Sequence, residues 1–321
     1  MESINRIKPF QLKTNSTIGV LSPASRPADE RLYRQGIAYL SQLGYRVVEA
    51  DHVLDQRGYL AGSDAARAGD VNAMFRDPTI DAIICSRGGY GTARLLPYLD
   101  YAALRRHPKI FVGYSDITAL NLAIWQQCRL VTFSGAMVAV EMGKGIAPFT
   151  EHHFWRMLTR PEPIGLLTNP EGSPIHIYHP GKASGVLLGG CLSLINVLLG
   201  TPFCPDFRNA ILFIEDIDEE PYRVDRYLAQ LKLAGILDQV AGIVVGQFTD
   251  CGPRDPEKPT LSLNEIFDDY LSPLKVPIIT NFAYGHDTIK HIMPIGVEAE
   301  LDTEQGGLII KESAVDIRPI C

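Results

Sequence analysis

The sequence predicts an α/β fold: an N-terminal, mostly parallel sheet flanked by helices, followed by a smaller C-terminal α/β domain. Three observations predict it. Short, near-continuous apolar runs alternate with helical patterns, as strands buried on both faces of a parallel sheet require. The 321 residues exceed what one small core usually organises. The alternation dissolves around residues 145–185, in a stretch rich in Pro and Gly, and then restarts. The expected units are residues 1–160 as the N-terminal domain, 161–184 as a linker and 185–321 as the C-terminal domain.

In chain order, TIGVLSPAS (17–25) reads as a strand ending in turn chemistry. A helical pattern then runs to Gly44, which is suited to a C-cap. YRVVEA (45–50) is strand-like, and Ser63 can cap a helix through DAARAGDVNAMFRD. DAIICS (81–86), IFVGYS (110–115) and VTFSG (131–135) read as further strands, with a helix through DITALNLAIWQQ between the last two. After residue 185 come GVLLGGCLSLINVLLG (strand, glycine turn, helix), AILFIED (strand), RVDRYLAQLKLAG (helix), VAGIVVGQF (strand) and VPIITNFAYGH (strand into turn). The tail VEAELDTEQGGLIIK alternates like a hairpin.

Composition narrows the function. With 46% hydrophobic and 21% charged residues the chain is an ordinary globular one. A net charge of −7 and the lack of any long Lys/Arg run argue against a nucleic-acid partner. The N-terminal segment has no apolar signal-peptide core, and no stretch nears 18 uninterrupted apolar residues, so neither export nor a membrane span is expected. The six cysteines, Cys85, Cys128, Cys191, Cys204, Cys251 and Cys321, form no C-x-x-C pair. That usage points to free thiols in a reducing, cytoplasmic setting.

In parallel sheets, function collects at the C-terminal ends of strands. Three expected strands end unusually, in SPAS, SRGGYG and GYSD. Ser115 sits where a strand turns into a helix, which projects a hydroxyl above the sheet edge with unpaired helix N–H groups behind it. The segment lacks the second glycine of G-x-S-x-G, and Ser115 also reads as a simple N-cap. Gly88 and Gly89 let backbone approach a ligand, and Arg87 can grip a carboxylate bidentately. Neither dinucleotide nor P-loop spacing is present, so no cofactor is implied. Glu215 ends an apolar strand, where a carboxylate can orient a histidine; it also begins an acidic run that reads as a solvated loop. Among eight histidines, His286 lies at a strand-to-loop junction and is a candidate general base. His152, His153, His176 and His179 read as surface residues of the linker region, His52, His107 and His291 as ordinary surface or core residues, and no metal site is expected.

Taken together, these segments resemble the L,D-carboxypeptidase family of serine peptidases, which includes the microcin C self-immunity peptidases. The resemblance spans nearly the whole chain. It is carried by SPAS (22–25), residues 67–100, FVGYSDITAL (111–120), LLGGCLSLINVLLGTPF (187–203), residues 211–231, YGH (284–286) and MPIGVEAELD (293–302). It implies an N-terminal sheet like that of class I glutamine amidotransferases and a site between two domains. It implies Ser115 as nucleophile with Glu215 and His286 completing a triad, and an oxyanion hole from Gly88, Gly89 and the N–H of Asp116. An exopeptidase must also hold a free carboxylate, for which Arg87, Arg223 and Arg226 are candidates. The implied substrate is a muropeptide tetrapeptide, cut between meso-diaminopimelate and terminal D-Ala, and the implied assembly is a homodimer. Two departures stand out: Ser134-Gly135-Ala136 replaces the family's His-Gly-Pro, and Cys191 replaces an Asn after the double glycine. Two other readings stay open, a microcin-type amidase acting on acyl-adenylate conjugates and a non-enzymatic small-molecule binder with SRGG as an anion cradle.

Overall fold

The computed structural model describes residues 6–255 and 257–317; Cys321 lies outside them. Two sheets organise the chain. The first contains β1 (Thr17–Leu21), β2 (Arg46–Glu49), β3 (Ala82–Cys85), β4 (Ile110–Val112) and β5 (Thr132–Ser134). The second contains β6 (Gly165–Leu167), β7 (His176–His179), β8 (Lys182–Cys191), β9 (Ile211–Ile217), β10 (Gly242–Thr249) and β11 (Ile278–Thr280). From the end of the chain, β12 (Met293–Ile295) joins the first sheet, while β13 (Glu298–Asp302) and β14 (Gly307–Ile310) join the second.

The first sheet runs β12-β5-β4-β3-β1-β2, all parallel except β12, which pairs antiparallel with β5. Its order reverses at β1, so a crevice opens beyond the carboxyl ends of β1 and β3, the usual ligand position in open α/β sheets. The loops SPAS and SRGG leave from those two ends, and the Ser22 and Ser86 hydroxyls meet there at 2.6 Å. The second sheet runs β6-β14-β13-β8-β9-β10-β11-β7, with a parallel centre from β8 to β11 and antiparallel flanks.

The helices are α1 (Glu30–Gln42), α2 (Asp64–Arg76), α3 (Tyr101–Arg106), α4 (Thr118–Cys128), α5 (Pro148–Thr159), α6 (Leu192–Leu198), α7 (Pro221–Leu233) and α8 (Leu263–Leu271). Local chemistry sets their ends. The Asp29 carboxylate accepts from Arg31 N and Leu32 N at the start of α1, and Gly44, at φ +89°, follows its end. Ser63 caps α2, as its sequence implies. Helix α4 is buried from Thr118 to Trp125, because it packs against α3, β5, β8 and α6. It joins the two halves directly behind Ser115.

Residues 161–184, expected to be a linker, hold β6, β7 and the start of β8. β6 and β7 occupy the two edges of the second sheet, where one neighbour suffices and Pro and Gly are tolerated, so no strand pattern shows. Likewise the expected C-terminal unit does not stay on its own side: Met293–Ile295 returns to pair with β5. His152 and His153 lie on α5 rather than in a linker, and His153 is half-buried against Phe149 and His291.

Candidate active site

Ser115 follows β4 by three residues. Asn121 on α4 donates to Gly113 O at 2.8 Å, fixing the end of the strand against the helix. Tyr114 is extended, and Ser115 then takes φ +64°, a left-handed conformation rare for a residue with a side chain, before a 3₁₀ turn leads into α4. Such backbone costs about 1–3 kcal/mol and persists only where the surroundings enforce it. The N-cap reading is corrected here. Tyr114 and Ile117 occupy the cap positions of the turn and of α4, no side chain closes either, and the Ser115 hydroxyl has no hydrogen-bond partner among the described residues. The strained turn places it against the Gly88 backbone instead.

Gly88 explains why a glycine loop lies beside this turn. A Cβ at residue 88 would lie 2.9 Å from Ser115 Cβ and 3.4 Å from Asp116 N, so only glycine lets the two backbones come this close. The Gly88–Gly89 segment and the Asp116 N–H thus border Ser115 together. The Asp116 side chain serves another purpose. It accepts from Thr92 N at 2.9 Å while Thr92 Oγ1 donates to Asp116 O at 2.5 Å, and burial raises its carboxyl pKa. Arg67, fully buried on α2, donates to Pro23 O and Gly91 O and so ties SPAS to the glycine loop. Sequence reading missed Thr92 and Arg67, since a basic residue in a helical pattern reads as surface.

Glu215 and Asp216 sit near the end of β9, and strand alternation turns them to opposite faces. Glu215 is fully buried, and His286 Nδ1 donates to its Oε2 at 2.7 Å; its Oε1 has no partner among the described residues. This hydrogen bond leaves Nε2 of the ring as the acceptor nitrogen. Gly285, at φ +134°, takes the chain past the Glu215 carboxylate and Gln247 O, which a side chain there would crowd. Asp216 instead accepts from Ser193 N, Ile217 N and the Cys191 thiol; burial and the neighbouring Glu215 charge push its pKa up to about 6.

Tyr114 links the two halves. Its ring lies 5.0 Å from that of His286, and its hydroxyl donates to Glu141 Oε1 at 2.7 Å. Lys290 Nζ, four residues beyond His286, donates to the same oxygen at 2.7 Å and lies 4.0 Å over the Tyr114 ring. Met137 N donates to Glu141 Oε2. Burial alone would raise the Glu141 carboxyl pKa, but Lys290, Met137 N and the Tyr114 hydroxyl together outweigh it and the net shift is downward. Thr150 accepts from Lys290 N and donates to Thr288 O, so the His286 loop is held at several points. The departure residue Ser134 takes part, with its hydroxyl 2.6 Å from that of Tyr284.

Of the expected carboxylate anchors, Arg87 is half-buried and has no hydrogen bond or ion pair with any described residue. Arg223 is engaged with Glu219 and Tyr222, and Arg226 is exposed over the Tyr222 ring. No hydrogen bond, ion pair or ring contact among the described residues links either arginine to Ser115, Glu215 or His286. A pocket of about 100 Å³, lined in part by Tyr114, Glu141 and Lys144, opens against His286.

A strained serine beside a glycine loop, with a buried His–Glu pair 5.0 Å from the neighbouring Tyr114 ring, has the groups of a serine-type hydrolase, and no hydrogen bond joins Ser115 to His286 among the described residues. Residues 18–135 match the LD-carboxypeptidase N-terminal domain, and residues 184–301 the LD-carboxypeptidase C-terminal domain. The chain belongs to the LD-carboxypeptidase family and is a serine-type carboxypeptidase. It is 41% identical to a probable murein peptide carboxypeptidase of Bacillus subtilis, over 95% of this chain and 94% of that one. It is 29% identical to the microcin C7 self-immunity protein MccF of Escherichia coli, over 94% of each. The crystal structure of a muramoyltetrapeptide carboxypeptidase from Oxalobacter formigenes superposes with a TM-score of 0.80 at 30% identity, covering 95% of this chain and 100% of that one.

Proposed function

We propose that this chain releases the terminal D-Ala of muropeptide tetrapeptides, cutting the L,D bond after meso-diaminopimelate, with Ser115, His286 and Glu215 as its triad. The observation that carries the reading is the 2.7 Å bond from His286 Nδ1 to a fully buried Glu215, alongside a Ser115 hydroxyl that has no hydrogen-bond partner among the described residues. Glu215 holds the imidazole in the tautomer whose Nε2 takes the Ser115 proton. Ser115 attacks the scissile carbonyl, and the oxyanion collects N–H donors from the Gly88–Gly89 segment and Asp116. His286 then protonates the departing amine, and water, activated by the same imidazole, releases the acyl-enzyme. The unpaired guanidinium of Arg87 is available for a substrate carboxylate. The names of the Bacillus and Oxalobacter relatives support this substrate class.

The likeness to MccF favours a second reading, an amidase for acyl-adenylate conjugates built on the same triad. A cytoplasmic site of action fits recycled wall fragments and the five free cysteines of the described residues; a homodimer is the proposed assembly. Mass spectrometry of a purified tetrapeptide and an aminoacyl sulfamoyl adenosine, each incubated with wild type and Ser115→Ala, tests both readings. D-Ala release by wild type, lost at least 10³-fold in the variant, is the expected result. Cleavage of the conjugate alone would favour the amidase, and undiminished activity of Ser115→Ala would remove the triad.

A further inference from the structure

A carboxypeptidase must accommodate one residue on the leaving side of the scissile bond, next to the histidine that protonates its amine. A pocket of about 100 Å³ is lined by His286 itself. It is small beside the pocket of about 540 Å³ lined by Val245 and Phe267, so it suits a single residue rather than a peptide. Gly145 and Ala147, both with minimal side chains, line it beside Tyr114.

Its charges are unequal. Glu141 lines the pocket, but its carboxylate already receives Lys290, Tyr114 and Met137 N. Asp287 turns an oxygen to Thr288 N at 2.6 Å. Lys144 is exposed and has no hydrogen bond or ion pair with any described residue. It is thus the cation of this pocket without a partner among the described residues; Lys290 neutralises Glu141, while exposed Asp287 keeps its charge.

We propose that this pocket is the leaving-residue subsite, taking a small amino acid with a free carboxylate, and that Lys144 is the counter-charge for that carboxylate. The assignment rests on the carboxypeptidase reading and leaves Arg87 for a carboxylate on the acyl side. An ammonium ion on a flexible stem suits a group that must bind as substrate and leave as product.

Steady-state kinetics of D-Ala release by wild type, Lys144→Met and Lys144→Arg tests it. Lys144→Met raises KM roughly tenfold with kcat within about twofold, and Lys144→Arg restores most of the loss, because one charge-assisted contact made equally in ground and transition states is removed. An unchanged KM in Lys144→Met, or a raised KM that Lys144→Arg does not restore, overturns the subsite while wild-type activity stands. If wild type releases no D-Ala, the carboxypeptidase reading falls first and the subsite with it.

Discussion

Two buried glutamates flank the Tyr114–His286 contact, and they are solvated in opposite ways. Glu141 is saturated: a lysine, a tyrosine hydroxyl and a backbone N–H hold its two oxygens. Glu215 is more deeply buried, yet one oxygen holds only His286 and the other nothing among the described residues. A buried ion pair with all its hydrogen bonds made is a fixed anchor. A buried carboxylate with one partner has its field directed at that partner, where a forming imidazolium would be stabilised. The comparison separates two uses of a buried acid: Glu141 clamps the His286 loop beside Tyr114, and Glu215 holds the histidine ring itself.

Breaking the second glutamate should give the largest effect. Glu215→Gln lowers kcat by about 10³–10⁴-fold through loss of the tautomer and of imidazolium stabilisation, while the denaturation midpoint moves little. Peptide hydrolysis and a urea titration on the same preparation read both quantities. Breaking the anchor should do the reverse. Lys290→Met strands the Glu141 charge and costs about 3–5 kcal/mol of stability, and adding Glu141→Gln recovers most of it; denaturant unfolding of single and double variants checks this. A double variant no more stable than the single would mean that the pair's value is packing rather than charge.

The smallest effect sharpens the comparison on the far face of β9. Asp216 has a pKa of about 6 in the fold, raised from its ordinary 3.8 by burial and by Glu215. Raised in the fold, the acid contributes stability that is full below about pH 4 and is lost as pH climbs through about 6. Asp216→Asn, neutral throughout and still able to accept from Ser193 N, should therefore gain on wild type between pH 4 and 6 by about 1–3 kcal/mol. Unfolding free energies across that range, parallel for the two proteins, would contradict it.

Much of this was legible beforehand, unevenly. Ser63, Gly44 and the tail hairpin act through neighbouring residues, and the structure follows the sequence there. Helix α8 carries a capping box, Ser262 with Glu265, which was a local signal passed over beside a Pro-rich loop. The edge strands β6 and β7 had none to give, because their pairing comes from β14 and β11, far along the chain. At the site, Ser115, Glu215 and His286 were each ambiguous alone, as cap, solvated acid and loop histidine.

By itself the sequence determined the alternation of strands and helices, the strand ends where reactive groups gather, and, through its motifs in order, the family. Those depend on period, turn residues and spacing, which are properties of neighbouring residues. Only the tertiary structure decided that Ser115 is strained and caps no helix, that Glu215 is buried and meets His286, that Arg67 and Thr92 brace the glycine loop, and that Lys144 lines a small pocket without a partner among the described residues. Burial and hydrogen bonding arise between residues brought together from distant parts of the chain, and no local pattern encodes which of several similar charges will be left unpaired.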